Sequence, residues 1–352
     1  MNNGNNILII RLSAIGDVVF ASPLIAALKR SYPDSRLSWL AEPAAAPLLR
    51  HHSDLDEVII WPKSDWKRLW KKNSYIDLWR EVSRFRQELK RRRFDTVLDL
   101  QGLLKSAVLG WISGARERIG LGSREGSHWL MTRVIARDGD ADRVGSEYLY
   151  LGKLLGLATD DFEMQLELGE SDDRFVTQLL ETEGMSTGYL VVCPFTTRPQ
   201  KHWFEVRWSA LILRLKQEFG LPLIMLGGPG DRDAADRISQ TLGEGFLDLT
   251  GKTGLTEAAA LIREATLVVG VDTGLTHMGV VFATPTVALF GSTCPYLQTT
   301  RDNAVVLYHK LNCSPCRRSP TCDGEFSCMA EISVEEVVAT AQKITQSDTI
   351  KI

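Results

Sequence analysis

Short apolar runs, each followed by a polar loop and then a helix-period segment, recur along both halves of the chain. In the first half residues 7–10 (Ile-Leu-Ile-Ile) lead into Arg11-Leu-Ser-Ala-Ile-Gly-Asp17 and then an amphipathic segment from about Val18 to Arg30, a βα unit. Further strands are expected at 37–40, 57–61 and 96–100, with helices between them and another from Leu103. Runs that are apolar throughout belong to strands buried on both faces, so the pattern predicts a parallel sheet covered by helices.

Between Gly156 and Gly188 the sequence turns acidic and turn-rich, with Thr159-Asp-Asp161 and Glu170-Ser-Asp-Asp173. Alternation restarts at 189–193, 223–226, 266–270 and 286–290. The expectation is two doubly wound, Rossmann-like α/β domains, residues 1–170 and 171–352. Each opens with a strand running into a polar loop, and ligands of open α/β sheets bind outside the carboxyl ends of the strands. Two facing sheets would bring both loops to one cleft.

Composition narrows the class. With 44% hydrophobic and 24% charged residues each half can bury an ordinary core. The opening Met-Asn-Asn-Gly-Asn-Asn lacks the basic start and apolar run of a secretory signal, and the longest nearly apolar stretch, 18–28, is too short to span a bilayer. A cytoplasmic location is expected. A net charge of −3 speaks against general nucleic-acid binding. Locally, Trp61, Trp66 and Trp70 interleave with Lys63, Lys67, Arg68, Lys71 and Lys72, and Lys90–Arg93 is a second basic run. This suits an anionic membrane surface or a phosphorylated acceptor, and equally a solvated helix face with Trp66 and Trp70 docked on the core at i,i+4 spacing.

Three polar loops carry candidate chemistry. In Ser13-Ala-Ile-Gly-Asp17 a small turn enters a helix and ends in a carboxylate, placed to act as a general base or simply as the helix N-cap. In Thr196-Thr-Arg-Pro-Gln-Lys-His-Trp203 hydroxyls, amides and Lys201 form a phosphate cradle before a helix expected near Glu205; the plainer reading is a surface lysine beside a capping threonine. In Val271-Asp-Thr-Gly-Leu-Thr-His277, Asp272 can bond nucleotide or sugar hydroxyls or cap the helix, Thr273 with the Gly274 and Leu275 amides can hold phosphate, and His277 lies one turn in, orienting or structural. Gly120, Gly122 and Gly126 do not make a dinucleotide fingerprint, so a nicotinamide dehydrogenase rests on fold alone. Gly227-Gly-Pro-Gly230 before Asp231 and Asp233 is a backbone approach to a ribose or an ordinary turn. Cys313, Cys316, Cys322 and Cys328 could hold a structural zinc or iron, or stand as unligated thiols.

Taken together, Ile10-Arg-Leu-Ser-Ala-Ile-Gly-Asp17, Asp99-Leu-Gln-Gly-Leu-Leu-Lys-Ser-Ala107, Thr196-Thr-x3-Lys-His-Trp203 and Val271-Asp-Thr-Gly-Leu-Thr-His277 resemble glycosyltransferase family 9, the lipopolysaccharide heptosyltransferases. The Gln-Gly-Leu-Leu-Lys-Ser and Thr-Thr…Lys-His-Trp segments resemble heptosyltransferase I more than heptosyltransferase II; the four-cysteine segment is similar to that of members nearer heptosyltransferase II. The resemblance implies a GT-B fold, two facing Rossmann-like domains, the first binding acceptor and the second nucleotide sugar. It implies an inverting transfer from ADP-heptose to Kdo-lipid A, without a catalytic metal, at the cytoplasmic face of the inner membrane. It makes Asp17 the base. Donor contacts fall to Thr196, Thr197, Lys201, Asp272, Thr273, Gly274, Leu275 and His277, and acceptor contacts to Ser13 and Lys105. Asp231, or Asp233, stands for the acid on the adenosine ribose, and Thr253 for a donor-site methionine. The rival readings are heptosyltransferase II or III, and a sugar-nucleotide-binding protein without turnover.

Overall fold

The computed structural model describes residues 6–185, 187–240 and 242–349. The chain divides into two compact units, Met1–Asp140 with Gly145–Glu167, and Ala141–Val144 with Leu168–Ile352.

The first unit holds six parallel strands, β1 (Asn6–Ile10), β2 (Arg36–Ala41), β3 (Glu57–Ile60), β4 (Thr96–Asp99), β5 (Glu117–Leu121) and β6 (Arg133–Ile135), in the order β3-β2-β1-β4-β5-β6. Its helices are α1 (Ile15–Ala21), α2 (Pro23–Ser31), α3 (Lys63–Lys71), α4 (Tyr75–Arg91), α5 (Leu104–Ser113) and α6 (Ser146–Leu154). The unbroken apolar run of β1 follows from its central place. Ile7 and Ile9 pack with Leu24, Leu28, Tyr148 and Leu151 on one face, Leu8 and Ile10 with Phe85, Leu89, Leu109 and Ile112 on the other.

The single helix expected over 18–30 is two. Pro23 has no N–H to continue the ladder but can open a new helix, so α1 closes on Ser22 and α2 begins at Pro23. The freed Ser22 hydroxyl accepts the Gln165 amide at 3.1 Å.

The second unit repeats the wiring with β7 (Leu190–Cys193), β8 (Leu223–Met225), β9 (Phe246–Asp248), β10 (Leu267–Val271), β11 (Thr286–Phe290) and β12 (Ala304–Tyr308), in the parallel order β12-β11-β10-β7-β8-β9. Its helices are α7 (Glu170–Glu183), α8 (Glu205–Phe219), α9 (Arg232–Ser239), α10 (Leu255–Arg263), α11 (Gly274–Val281), α12 (Ser327–Ala330) and α13 (Val334–Thr349). In both sheets the first strand is central, the next two extend one way and the last three the other. Strand order therefore reverses between β1 and β4 and again between β7 and β10. A crevice opens at such a reversal, outside the carboxyl ends of the strands.

One excursion interrupts this division. Residues 141–144 leave the first unit, and the Leu297 and Gln298 amides donate to the Asp142 carbonyl at 2.8 and 2.7 Å while Arg143 bridges Gln298. Sequence reasoning assigns these four residues to the first domain; the structure places them with the second. Among the described residues no helix is long and apolar enough to cross a membrane.

Candidate functional site

In the first unit the loops after β1 and β4 meet at the reversal. Arg11 is 7% exposed, and its Nη1 donates to the Leu100 carbonyl at 3.0 Å, tying the two loops together. Its Nη2 lies 2.6 Å from Asp17 Oδ2, and the Ala14 amide donates to the same oxygen at 3.1 Å. Asp17 is thus not the N-cap. Ala14 holds that position, and Asp17, three residues on, supplies the returning carboxylate of a capping box. Asp17 is 41% exposed at the side chain, and Oδ1 has no partner among the described residues. One oxygen is fixed by the fold and the other carries no bond among the described residues.

Buried Asp99 shapes the facing loop. It accepts from the Gln101 and Gly102 amides at 3.0 and 3.1 Å and from the Ser106 hydroxyl at 2.9 Å. Burial pushes its carboxyl above the usual range against these three bonds. Gln101 Oε1 in turn accepts the Leu12 amide at 2.9 Å. Ser13 and Lys105 are brought together by Glu42 just after β2, which lies 3.5 Å from each and 2.9 Å from Lys63. Both lysines stand over the Trp61 ring, at 5.7 and 5.9 Å from its centre. The sequence reading names neither Arg11 nor Glu42 as a site residue and gives Lys63 only to the Trp–Lys patch; the fold alone pairs Arg11 with Asp17 and Glu42 with the lysines.

In the second unit the loops after β7 and β10 meet at the other reversal. Lys201 Nζ is 2.6 Å from Asp272 Oδ2, which also accepts from the Thr293 hydroxyl. Asp272 Oδ1 is 3.2 Å from His277 Nε2, and His277 Nδ1 is 2.8 Å from the Tyr296 hydroxyl. Burial would raise the Asp272 carboxyl, but the hydrogen bonds and charges of His277 and Lys201 outweigh it and hold it well below the usual carboxylate range. The Thr196 hydroxyl donates to the Asp272 carbonyl at 3.1 Å, and His202 Nε2 is 2.8 Å from the Thr196 carbonyl. Asp272 is no helix cap, since Thr273 takes that place and α11 begins at Gly274. Its carboxylate joins Lys201, Thr293 and His277 in one buried network.

The first amides of α11, from Gly274 and Leu275, are left without intrahelical acceptors at the mouth of the reversal, a ready anion site. That helix can begin so close to the sheet because residue 270 is glycine: a Cβ there would fall 2.1 Å from Thr276 Oγ1 and 2.9 Å from Cys193 Cβ. Thr197 is exposed in the β7 loop, and Thr253 is half-buried just before α10. Asp231 turns back onto its own loop, accepting the Gly228 amide at 2.8 Å, while Asp233 is exposed in the first turn of α9.

The four-cysteine segment packs beside the loop after β11. Cys313, Cys316, Cys322 and Cys328 are free thiols sharing one neighbourhood, but no group of His, Cys, Asp or Glu among the described residues converges as a metal-ion site. Cys328 belongs instead to the apolar core beside Met329 and close under Gly291, where it acts as a small hydrophobe, and burial raises its thiol pKa. The segment braces the loops around Lys201. The Arg317 amide donates to the Ser292 carbonyl at 2.7 Å, and Gln200 Nε2 donates to the Arg317 carbonyl at 2.9 Å. A separate cavity of about 480 Å³ lies at the opposite end of the first sheet, where β1, β2 and β3 begin, lined by Asn6, Arg36, Glu57 and Arg92 among others. It contains none of the candidate residues.

Comparison with known proteins identifies the family and the fold. The profile described as glycosyltransferase family 9 (heptosyltransferase) matches residues 82–325. The chain is 24% identical to the lipopolysaccharide core heptosyltransferase OpsX of Haemophilus influenzae over 96% of both chains. It is 29% identical to lipopolysaccharide heptosyltransferase 1 of Pseudomonas aeruginosa over 90% of this chain and 87% of that one. Among solved structures, E. coli ADP-heptose LPS heptosyltransferase II superposes with a TM-score of 0.78 at 21% identity, covering 98% of this chain and 99% of that one. The fold is of the GT-B class. With the profile spanning well over half its length, this chain belongs to glycosyltransferase family 9, and it is a glycosyltransferase.

Proposed function

We propose that this enzyme transfers L-glycero-D-manno-heptose from ADP-heptose to the inner core of lipopolysaccharide, with inversion, and that its acceptor is the Kdo of Kdo-lipid A at the cytoplasmic face of the inner membrane. The observation that carries the reading is the different chemistry of the two reversals. One presents a fixed carboxylate with a free oxygen, the other a half-buried lysine beside a helix N-terminus.

Asp17 Oδ1 takes the proton of the acceptor hydroxyl as that oxygen bonds to the anomeric carbon. The bond from that carbon to the diphosphate oxygen breaks with its electrons, through an oxocarbenium-like state. Lys201, Thr196, Thr197, Thr273 and the Gly274 and Leu275 amides stabilise the charge gathering on departing ADP. Asp272 and His277 hold Lys201 and the loop in place, and Asp231 meets the ribose. Ser13 and Lys105 hold the acceptor, with Glu42 setting the lysine's direction. No step requires a metal ion, because these groups neutralise the diphosphate.

A second acceptor reading has its own support. Relatives called heptosyltransferase 1, 2 and 3 lie at 29, 25 and 24% identity, a spread too narrow to rank acceptors. The donor reading draws on the family and on the lysine–helix cradle. The deciding experiment sets ADP-heptose and other nucleotide sugars against Kdo-lipid A and its mono-heptosylated product. Product from ADP-heptose and Kdo-lipid A alone is expected. Transfer only to the heptosylated acceptor would shift the assignment to heptosyltransferase II or III, and transfer only from a non-ADP donor would overturn the substrate reading. Tight ADP-heptose binding without turnover would make the chain a binding protein.

A further inference from the structure

The first unit exposes aromatic surface that its own core does not use. Of the tryptophans expected on α3, only Trp66 docks. Its ring meets Trp61 edge-on at 6.0 Å and Phe85 at 5.6 Å, closing the core. Trp70, one turn on, is 61% exposed and packs edge-on against Tyr75 at 5.4 Å across the turn into α4. Ile76 and Trp79, adjacent on the first turns of α4, are each 70% exposed. Every tryptophan exposed among the described residues, Trp70, Trp79, Trp111 and Trp129, belongs to this unit.

The charge around this patch is predominantly positive. Residues 63–93 hold twelve Lys and Arg against four Asp and Glu, a net +8 in a chain whose total is −3. Three of the four acids are already paired within their helices, Asp65 with Arg68, Asp77 with Arg80 and Glu81 with Arg84. Lys67, Lys71 and Lys72 are exposed and carry no ion pair among the described residues. A second copy seated here would set like charge against like. Indoles flanked by long cationic side chains match another partner, the boundary of a bilayer, where the rings sit at headgroup depth and lysines reach the anionic phosphates.

We infer that the α3–α4 surface, with Trp70, Tyr75, Ile76 and Trp79 at its centre and Lys67, Lys71 and Lys72 around it, docks the first unit onto an anionic lipid bilayer. The inference rests on the reading that the acceptor is lipid-anchored, and it names the surface that brings the acceptor-binding unit to that lipid. The three lysines, each near the surface, contribute on the order of a hundredfold in partitioning at low salt. The two outermost apolar side chains contribute about tenfold or more.

The test is flotation of the purified full-length protein with vesicles of phosphatidylethanolamine and phosphatidylglycerol, or of phosphatidylcholine alone, at low and high salt. The wild type should float with the anionic vesicles only, and less in high salt. Ile76→Ser with Trp79→Ser should lose about tenfold or more in binding. Lys67→Gln with Lys71→Gln and Lys72→Gln should lose most binding and its salt dependence. Both variants alter exposed side chains, so their thermal unfolding should match the wild type, as should heptose transfer to a de-acylated, water-soluble acceptor. A wild type that stays free of anionic vesicles overturns the inference, as do variants that bind like it. A dimer in solution that Ile76→Ser with Trp79→Ser dissociates, without vesicle binding, would assign the surface to a second copy instead. Vesicle binding without heptose transfer would sink the substrate reading and leave the docking surface standing.

Discussion

Replacing Asp17 with Asn separates the structural duty of this side chain from the catalytic one proposed for it. The fold uses Oδ2, which receives the Ala14 amide at 3.1 Å and Arg11 Nη2 at 2.6 Å. An asparagine oxygen can accept both bonds, but the charge is gone. A charge-assisted hydrogen bond contributes about 1.5–3 kcal/mol and a neutral one about 0.5–1.5. With the Asp17 side chain 41% exposed, solvent screening keeps the difference near the bottom of that interval, about 1 kcal/mol. The substitution is therefore not free. Arg11, with its Nε already unpartnered, loses the carboxylate it is paired with, and unfolding should move down by about 2–4 °C for a unit of this size. Such a loss leaves nearly all molecules folded at assay temperature and cannot by itself slow turnover. Removing a general base lowers kcat by about 10²–10⁴. Initial rates at saturating donor and acceptor, measured beside a thermal scan on the same preparation, separate the effects. An Asp17→Asn enzyme with kcat within about threefold of wild type would show that the carboxylate serves only Arg11 and the helix start, and would refute the base assignment.

Lys201→Met leaves Asp272 buried with Thr293 and His277 but without its ammonium partner; stability should fall by up to about 3 kcal/mol and kcat by about 10²–10³, measured by denaturant titration and initial rates. Asp272→Asn tests the depressed carboxyl. Its stabilisation is fully present above the unfolded carboxylate range and is lost as pH falls through that range toward the lower folded value, so the gap in melting temperature between wild type and the Asp272→Asn variant should be wide near neutrality and narrow below about pH 4. A gap that widens in acid would contradict the direction of the shift. Gly270→Ala sets a methyl against Thr276 and Cys193, so a loss of about 1–3 kcal/mol and a raised KM for donor, with KM for acceptor unchanged, are expected from calorimetry and steady-state kinetics.

The central strands were legible because burial on both faces leaves an apolar run. β1, β2, β4, β7, β10 and β11 all show it. β5, β6 and β9 lie toward sheet edges and carry Glu117-Arg118, Arg133 and Asp248, so no such run marks them. β12, Ala-Val-Val-Leu-Tyr, does have one, and its signal is present in the sequence although no strand was expected there. The site follows the same division. Loops directly after central strands could be read as a polar motif behind an apolar one, which is how Asp17, Lys201 and Asp272 stand out. Glu42 could not, since it acquires meaning from a lysine 63 residues away, and Thr293 and Tyr296 likewise join Asp272 and His277 only through the neighbouring strand. The helix α3 shows the limit of periodicity: Trp66 and Trp70 share a spacing, but the core ends between them.

The four residues at 141–144 decide how this enzyme can be cut and recombined. Because the Asp142 carbonyl is the acceptor for the Leu297 and Gln298 amides, a fragment beginning at Leu168 would start with two donors stripped of their acceptor, and a fragment ending at Glu167 would carry the missing acceptor with nothing to receive. A chimera that borrows its second unit from a relative therefore needs two grafts: the long carboxyl-terminal piece, and the short tetrapeptide that travels inside the other half.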